Sequence, residues 1–268
     1  VNCMKARING IDLAYSDEGH GPPVIFLHAF PLNRTMWTPQ VEALQSYYRV
    51  ITIDLRGHGK SDAPMWRYSL EQFADDVIGL LQHLSITQAT FVGLSMGGYI
   101  LFAVYGKYAK YVQALVFADT RAQGDTPEGK AARFSMAQIA YKRGVTAIAD
   151  LMLSKLLSPA ALSTKADLIN QLRAMITGNQ VSGIIGDLMA MEERSDSTDL
   201  LQKITCPTLV LAGEDDVASP PAEVRFIADH ITGAEFACIP QAGHMSNMEN
   251  PEAFNAALGR FLARLPEQ

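Results

Sequence analysis

Three side chains, Ser95, Asp216 and His244, have the types and the chain order that nucleophilic catalysis at a carbonyl requires. A serine hydroxyl is a weak nucleophile until a base takes its proton, and a histidine serves as that base when a carboxylate orients it. Ser95 stands at the centre of Gly93-Leu94-Ser95-Met96-Gly97, a G-x-S-x-G pattern. Thr90 to Val92 before it read as the end of a short buried strand, and the run from Gly97 through Ala103 reads as a helix. A serine on such a strand-to-helix corner holds its hydroxyl clear of the backbone, and the flanking glycines leave room for neighbouring chain. The helix that follows directs free N–H groups toward negative charge forming beside Ser95.

The base and the acid come from two later loops. His244 lies in Pro240-Gln241-Ala242-Gly243-His244, just after a strand, whereas His230 falls on a helix and suits a surface position. Asp216 ends Gly213-Glu214-Asp215-Asp216 after the preceding strand. Glu214 and Asp215 adjoin it, and Asp119 at the end of another strand is the second candidate for the acid. If it is not the acid, Asp119 is expected to cap the entrance to a lid. Ser95, Asp216 and His244 all follow the carboxyl ends of strands, where open parallel sheets place their sites. An oxyanion needs two backbone donors. Met96, directly after the serine, supplies one, and Phe30 in His28-Ala29-Phe30-Pro31 supplies the other. Pro31 has no N–H and fixes that turn. His28 and His58 are read as loop structure, and no metal or phosphate-binding spacing is present.

These loops need a sheet to position them. Lys5 to Ile8 and Ile11 to Tyr15 alternate around Asn9-Gly10, a hairpin signal. Short apolar strands at Val24 to Leu27, Val50 to Ile53, Ala114 to Ala118, Pro207 to Leu211 and Glu235 to Ile239 alternate with helical segments. Those helices are expected at Met36 to Ser46, Leu70 to Leu84, Pro221 to His230 and Pro251 to Leu265. The alternation predicts an α/β fold with a mostly parallel sheet between helices. Between Arg121 and Glu193 no strand is evident, and the segment carries Met136, Met152, Met175, Met189 and Met191. Residues 1–120 and 194–268 therefore read as the core, and 121–193 as a helical lid inserted after the sixth strand. Methionine fills irregular apolar space, which suits a lid over a ligand pocket.

The chain has 268 residues, 48% hydrophobic and 19% charged, with net charge −6. That balance suits a large α/β domain and argues against nucleic acid or anionic membrane as partners. Cys3, Cys206 and Cys238 fit no metal spacing and read as free thiols. With no signal-peptide pattern or membrane-length apolar run, a cytoplasmic location is expected.

Taken together, these segments resemble the α/β-hydrolase superfamily over essentially the whole chain. The resemblance rests on His28-Ala29-Phe30-Pro31, Asp54-Leu55-Arg56-Gly57-His58-Gly59-Lys60-Ser61, Gly93-Leu94-Ser95-Met96-Gly97-Gly98, Gly213-Glu214-Asp215-Asp216 and Gly243-His244. The stretch from Gly243 to Asn255 is similar to the 3-oxoadipate enol-lactonase-like and small-esterase branch. It implies an α/β-hydrolase fold, a Ser95-Asp216-His244 triad, Phe30 and Met96 as oxyanion donors, and no cofactor. Ala29 replaces the usual loop glycine, and Ala118-Asp119-Thr120-Arg121 departs from the enol-lactonase pattern. Serine at position 95 separates the chain from relatives that use aspartate there.

The expected activity is hydrolysis of carboxylic esters or lactones, with Phe30, Met96, Met136 and Val217 against the substrate. An apolar lid favours acylated lactones, N-acyl homoserine lactones among them. Arg121 or Arg133 is an alternative contact for a substrate carboxylate. The competing readings are a carbon–carbon bond hydrolase with the same triad and a slow-turnover ligand receptor.

Overall fold

The residues expected to do chemistry leave a common edge of one eight-stranded sheet. In this computed structural model, which describes residues 2–266, the strands are β1 (Met4–Ile8), β2 (Ile11–Glu18), β3 (Pro23–Leu27), β4 (Arg49–Asp54), β5 (Ala89–Leu94), β6 (Val112–Ala118), β7 (Thr208–Gly213) and β8 (Glu235–Ile239). Val1, Glu267 and Gln268, at the outer ends of the expected core segments, lie outside the described residues. The spatial order is β1-β2-β4-β3-β5-β6-β7-β8. β1/β2 and β2/β4 are antiparallel and every other pair is parallel. The expected sheet is thus the observed one.

Local chemistry explains the turns. Asn9 (φ 46°) and Gly10 (φ 81°) both occupy the left-handed region, as a two-residue hairpin turn demands. β2 runs longer than the hairpin required because its second half pairs with β4, Ala14 through Glu18 against Asp54 through Val50. In the parallel core, Leu27 pairs with Gly93, Ala118 with Leu94 and with Leu211, and Gly213 with Ile239. That register brings the loops carrying Phe30, Ser95, Asp119, Asp216 and His244 to one edge.

The helices are α1 (Thr38–Leu44), α2 (Leu70–His83), α3 (Met96–Tyr108), α4 (Pro127–Leu156), α5 (Pro159–Thr164), α6 (Ala166–Thr177), α7 (Val181–Glu193), α8 (Thr198–Leu201), α9 (Pro221–His230), α10 (Ser246–Glu249) and α11 (Pro251–Leu262). The helix expected over Met36 to Ser46 is divided. A 3-10 turn at Arg34–Trp37 precedes α1, which opens with Pro39 in its first turn. Trp37 is fully buried, 4.9 Å from the Phe26 ring and 6.2 Å from Phe254, and this packing fixes the break. α2 starts where the Ser69 side chain accepts from the Gln72 amide. It buries Phe73, Val77, Leu80 and Leu81, each contributing roughly 2 kcal/mol through apolar burial. α11 stops three residues before the expected Leu265.

Between β6 and β7 the chain is helical, from α4 to α8. Gly144 interrupts α4 with φ 77° and ψ −177°, leaving two helical halves. α7 sits directly on the loop after β4. A Cβ on Gly183 would lie 1.9 Å from the Gly57 carbonyl oxygen, and one on Gly186 would meet the Tyr68 ring at 2.5 Å. Among the described residues, no helix is long and apolar enough to cross a membrane.

Candidate active site

The corner at Ser95 has the strain that the sequence pattern calls for. Ser95 sits at φ 55°, ψ −113°, between β5 and α3. Its amide donates to the Ala118 carbonyl at 2.9 Å, and the Thr120 hydroxyl donates to its carbonyl at 2.8 Å. A Cβ on Gly93 would lie 2.5 Å from the Gly97 backbone, and one on Gly97 would lie 2.2 Å from the Leu27 carbonyl oxygen. Gly98 has the same constraint against Thr120, at 2.5 Å. Three glycines, Gly93, Gly97 and Gly98, therefore let β3, β5 and α3 close around the serine.

The structure brings His244 and Asp216 together. His244 Nδ1 and Asp216 Oδ2 are 2.8 Å apart, and both residues are buried. Asp216 Oδ1 accepts from the amides of Ala218 and Ser219 at 2.8 and 2.9 Å. With Nδ1 committed to the carboxylate, Nε2 is the imidazole nitrogen available to a hydroxyl. Burial disfavours the His244 cation, but the Asp216 charge and hydrogen bond outweigh it and hold the pKa above the ordinary histidine value.

Asp119 is placed elsewhere. Its Oδ1 accepts from the Gly213 amide at 2.6 Å and its Oδ2 accepts from the Ser246 hydroxyl. It is fully buried and absent from the cavity wall, so it does not cap a lid entrance. Burial, reinforced by the Asp216 charge, pushes its carboxyl up to about 8. It links the end of β7, three residues before Asp216, to the helix turn that follows His244. Glu249 works similarly from the other side, accepting from the Gly243 amide at 3.0 Å and from the Ser158 hydroxyl at 2.6 Å.

A cavity of about 520 Å³ opens onto Ser95 and His244. Phe30, Met136 and Val217 line it as expected from the sequence, joined by Met152, Leu156 and Met191. Met175 is buried away from it. Met96 corrects the expectation: its side chain is fully buried and faces no part of the cavity. As the first residue of α3, Met96 has an N–H with no acceptor inside the helix. Among the described residues, neither the Phe30 nor the Met96 amide has an acceptor within the protein. Arg121 and Arg133 both line the cavity. Arg133 pairs with Asp125, and Arg121 pairs with Glu223 at 3.4 Å and donates to the Ala218 carbonyl.

An α/β-hydrolase fold family model matches residues 22–251. The chain belongs to the α/β-hydrolase family. It is 32% identical to 3-oxoadipate enol-lactonase 2 of Acinetobacter baylyi over 97% of this chain and 96% of that one. A malate-bound thermophilic esterase from Thermogutta terrifontis superposes with a TM-score of 0.95 at 38% identity, covering 99% of both chains. An N-acyl homoserine lactone degrading enzyme superposes with a TM-score of 0.82 at 28% identity, over 96% of this chain and all of that one.

Within this α/β-hydrolase family member, His28 and His58 sit among the core loops. His28 Nδ1 donates to the Ala29 carbonyl at 3.0 Å, and Nε2 accepts from the Leu55 amide at 3.0 Å. Burial lowers its pKa to about 4, consistent with a neutral ring in those two roles. His58 is fully enclosed, 3.3 Å from Asp187 of α7. Burial drives both partners toward their neutral forms. Ala29 is not among the positive-φ residues, so its Cβ fits where a glycine is usual. Asn179, Asp187 and Glu249 were not singled out by sequence reasoning. Each joins segments far apart in the chain, and no local pattern marks such a residue.

Proposed function

We propose that this chain is a serine hydrolase of carboxylic esters and lactones that works through an acyl-serine intermediate. The observation that carries the reading is the His244–Asp216 hydrogen bond of 2.8 Å, on loops whose cavity also exposes Ser95. Ser95 Oγ attacks the carbonyl carbon while His244 Nε2 takes its proton. The developing oxyanion is held by the Phe30 and Met96 amides, at about 3 kcal/mol per donor by analogy with measured oxyanion holes. The C–O bond to the alcohol breaks, and the imidazolium returns the proton to the leaving oxygen. Water then attacks acyl-Ser95 as His244 takes its proton, the acyl C–O bond to Ser95 Oγ breaks, the imidazolium returns the proton to that oxygen, and the acid is released. Asp216 holds the imidazole in the tautomer that presents Nε2 and stabilises the cation formed in each half-reaction.

Helices α4 to α7 form a lid over this site, and its Met136, Met152 and Met191 walls suit an apolar acyl group. Similarity to an enol-lactonase, an esterase and an acyl homoserine lactone degrading enzyme supports ester and lactone carbonyls as the substrate class. The test is acid release in a pH-stat, comparing open-chain esters with lactones of matched acyl length and Ser95→Ala as the blank. Serine-dependent turnover that rises with acyl length is expected. Acid release from neither substrate would overturn the reading.

A further inference from the structure

We propose that Asn179, in the turn between lid helices α6 and α7, is a positioning residue for the oxyanion hole. This inference rests on the hydrolytic reading above and on the role given there to the Phe30 amide. Asn179 Nδ2 donates to the Pro31 carbonyl at 2.8 Å and lies 3.3 Å from the Leu32 carbonyl. Its Oδ1 accepts from the Gly59 amide at 2.8 Å. The side chain thus spans two core loops, the one after β3 that carries Phe30 and the one after β4. It is 7% exposed, so water competes little for these bonds.

The Pro31–Leu32 peptide takes such a hold. The core braces the preceding residues through the Ala29 amide on Met36 Sδ and His28 Nδ1 on the Ala29 carbonyl. The following residues are tied through the Leu32 amide on the Ala29 carbonyl and the Arg34 amide on Asp54. The Pro31 and Leu32 carbonyls are received by Asn179 Nδ2. An amide donor is useful only when it is already aimed at the position the oxyanion will occupy. The Pro31 carbonyl that Asn179 holds shares its peptide plane with the Leu32 N–H, which donates to the Ala29 carbonyl at 2.9 Å, and the Ala29 carbonyl shares its plane with the Phe30 N–H, so Asn179 steadies that N–H through the Leu32 amide.

The lid is seated firmly enough to provide that reference. Ser182 Oγ donates to the Ala63 carbonyl at 2.9 Å, and Gly183 packs on Gly57. Ser182 touches neither Phe30 nor its loop, so it separates attachment of the lid from orientation of the amide.

Asn179→Asp keeps an acceptor for Gly59 and removes the donor to Pro31 and Leu32. Its kcat on p-nitrophenyl acetate, per active site titrated with a phosphonate, is expected to fall about tenfold with KM within twofold, because the lost interaction matters most in the transition state. Ser182→Ala is expected to keep kcat within twofold while lowering the unfolding midpoint. Should the Asp variant fail to fold, Asn179→Ser, too short to reach Pro31, is read the same way. Equal kcat per titrated site in Asn179→Asp, Ser182→Ala and the unmodified protein would overturn the inference while leaving the hydrolytic reading intact. Ester turnover undiminished in Ser95→Ala would overturn both.

Discussion

Asp216 Oδ2 lies 2.8 Å from His244 Nδ1, and its other oxygen is occupied by two backbone amides. The carboxylate is therefore fixed before the imidazole docks against it. Asp216→Asn places an amide where an acceptor is needed and favours the wrong ring tautomer. We expect kcat to fall about 10⁴-fold with little loss of fold, the magnitude seen for the equivalent change in serine proteases. Steady-state kinetics with circular dichroism checks both halves.

The acid limb of the rate profile follows from the same pair. His244 acts as a base only when neutral, and its pKa is held above 6.5. Activity is therefore lost as pH falls through that raised value, so the acid limb of kcat/KM should lie above pH 6.5. A limb centred well below the ordinary histidine value would contradict the pairing.

Asp119 separates two roles for a buried carboxyl. Its pKa of about 8 leaves it protonated at neutral pH. Asp119→Asn should therefore keep kcat within a few-fold and leave the acid limb in place, whereas loss of activity as deep as that of Asp216→Asn would make Asp119 the acid. A carboxyl whose folded pKa is raised contributes stability below its unfolded pKa that is lost as pH rises through the folded value. The melting temperature should accordingly decline as pH rises from 3.8 toward about 8 and level off above it, with a shallower decline in Asp119→Asn.

On the proposed function, the cavity wall is expected to set acyl preference. Met136 lines the wall from α4 and is half-buried. Met136→Trp fills space that a long acyl chain would use and should lower kcat/KM for a hexanoyl ester by about tenfold relative to an acetyl ester. An unchanged ratio would place the acyl chain elsewhere.

Lid seating is a packing problem. Gly183→Ala puts a methyl 1.9 Å from the Gly57 carbonyl oxygen, which forces α7 off its loop. We expect a cost of about 2 kcal/mol by urea unfolding, in the range of overpacked interfaces.

Much of this was legible in the sequence because it is written locally. The strained corner at Ser95 needs small neighbours within three residues, and the loops of Asp216 and His244 each follow a short apolar strand. The acid could not be settled in that way, since Asp119 and Asp216 both end strands and only the fold shows which one faces His244. Asn179 reaches Pro31 across 148 positions, and Ser246 reaches Asp119 across 127. Contacts that distant leave no periodicity. The helix expected from about Met36 to Ser46 is present but shorter, Thr38–Leu44, for a related reason, because burial of Trp37 against Phe26 and Phe254 decides where that segment turns.

The proposed hydrolysis turns on acylation of Ser95. The most direct measurement is rapid mixing with p-nitrophenyl acetate, followed by intact mass and peptide mapping of the quenched protein. An added acetyl is expected on the peptide containing Ser95, accumulating when deacylation is slowed by water-poor solvent, and absent in Ser95→Ala. Undiminished turnover by Ser95→Ala, or acetyl found only on other residues, would contradict it.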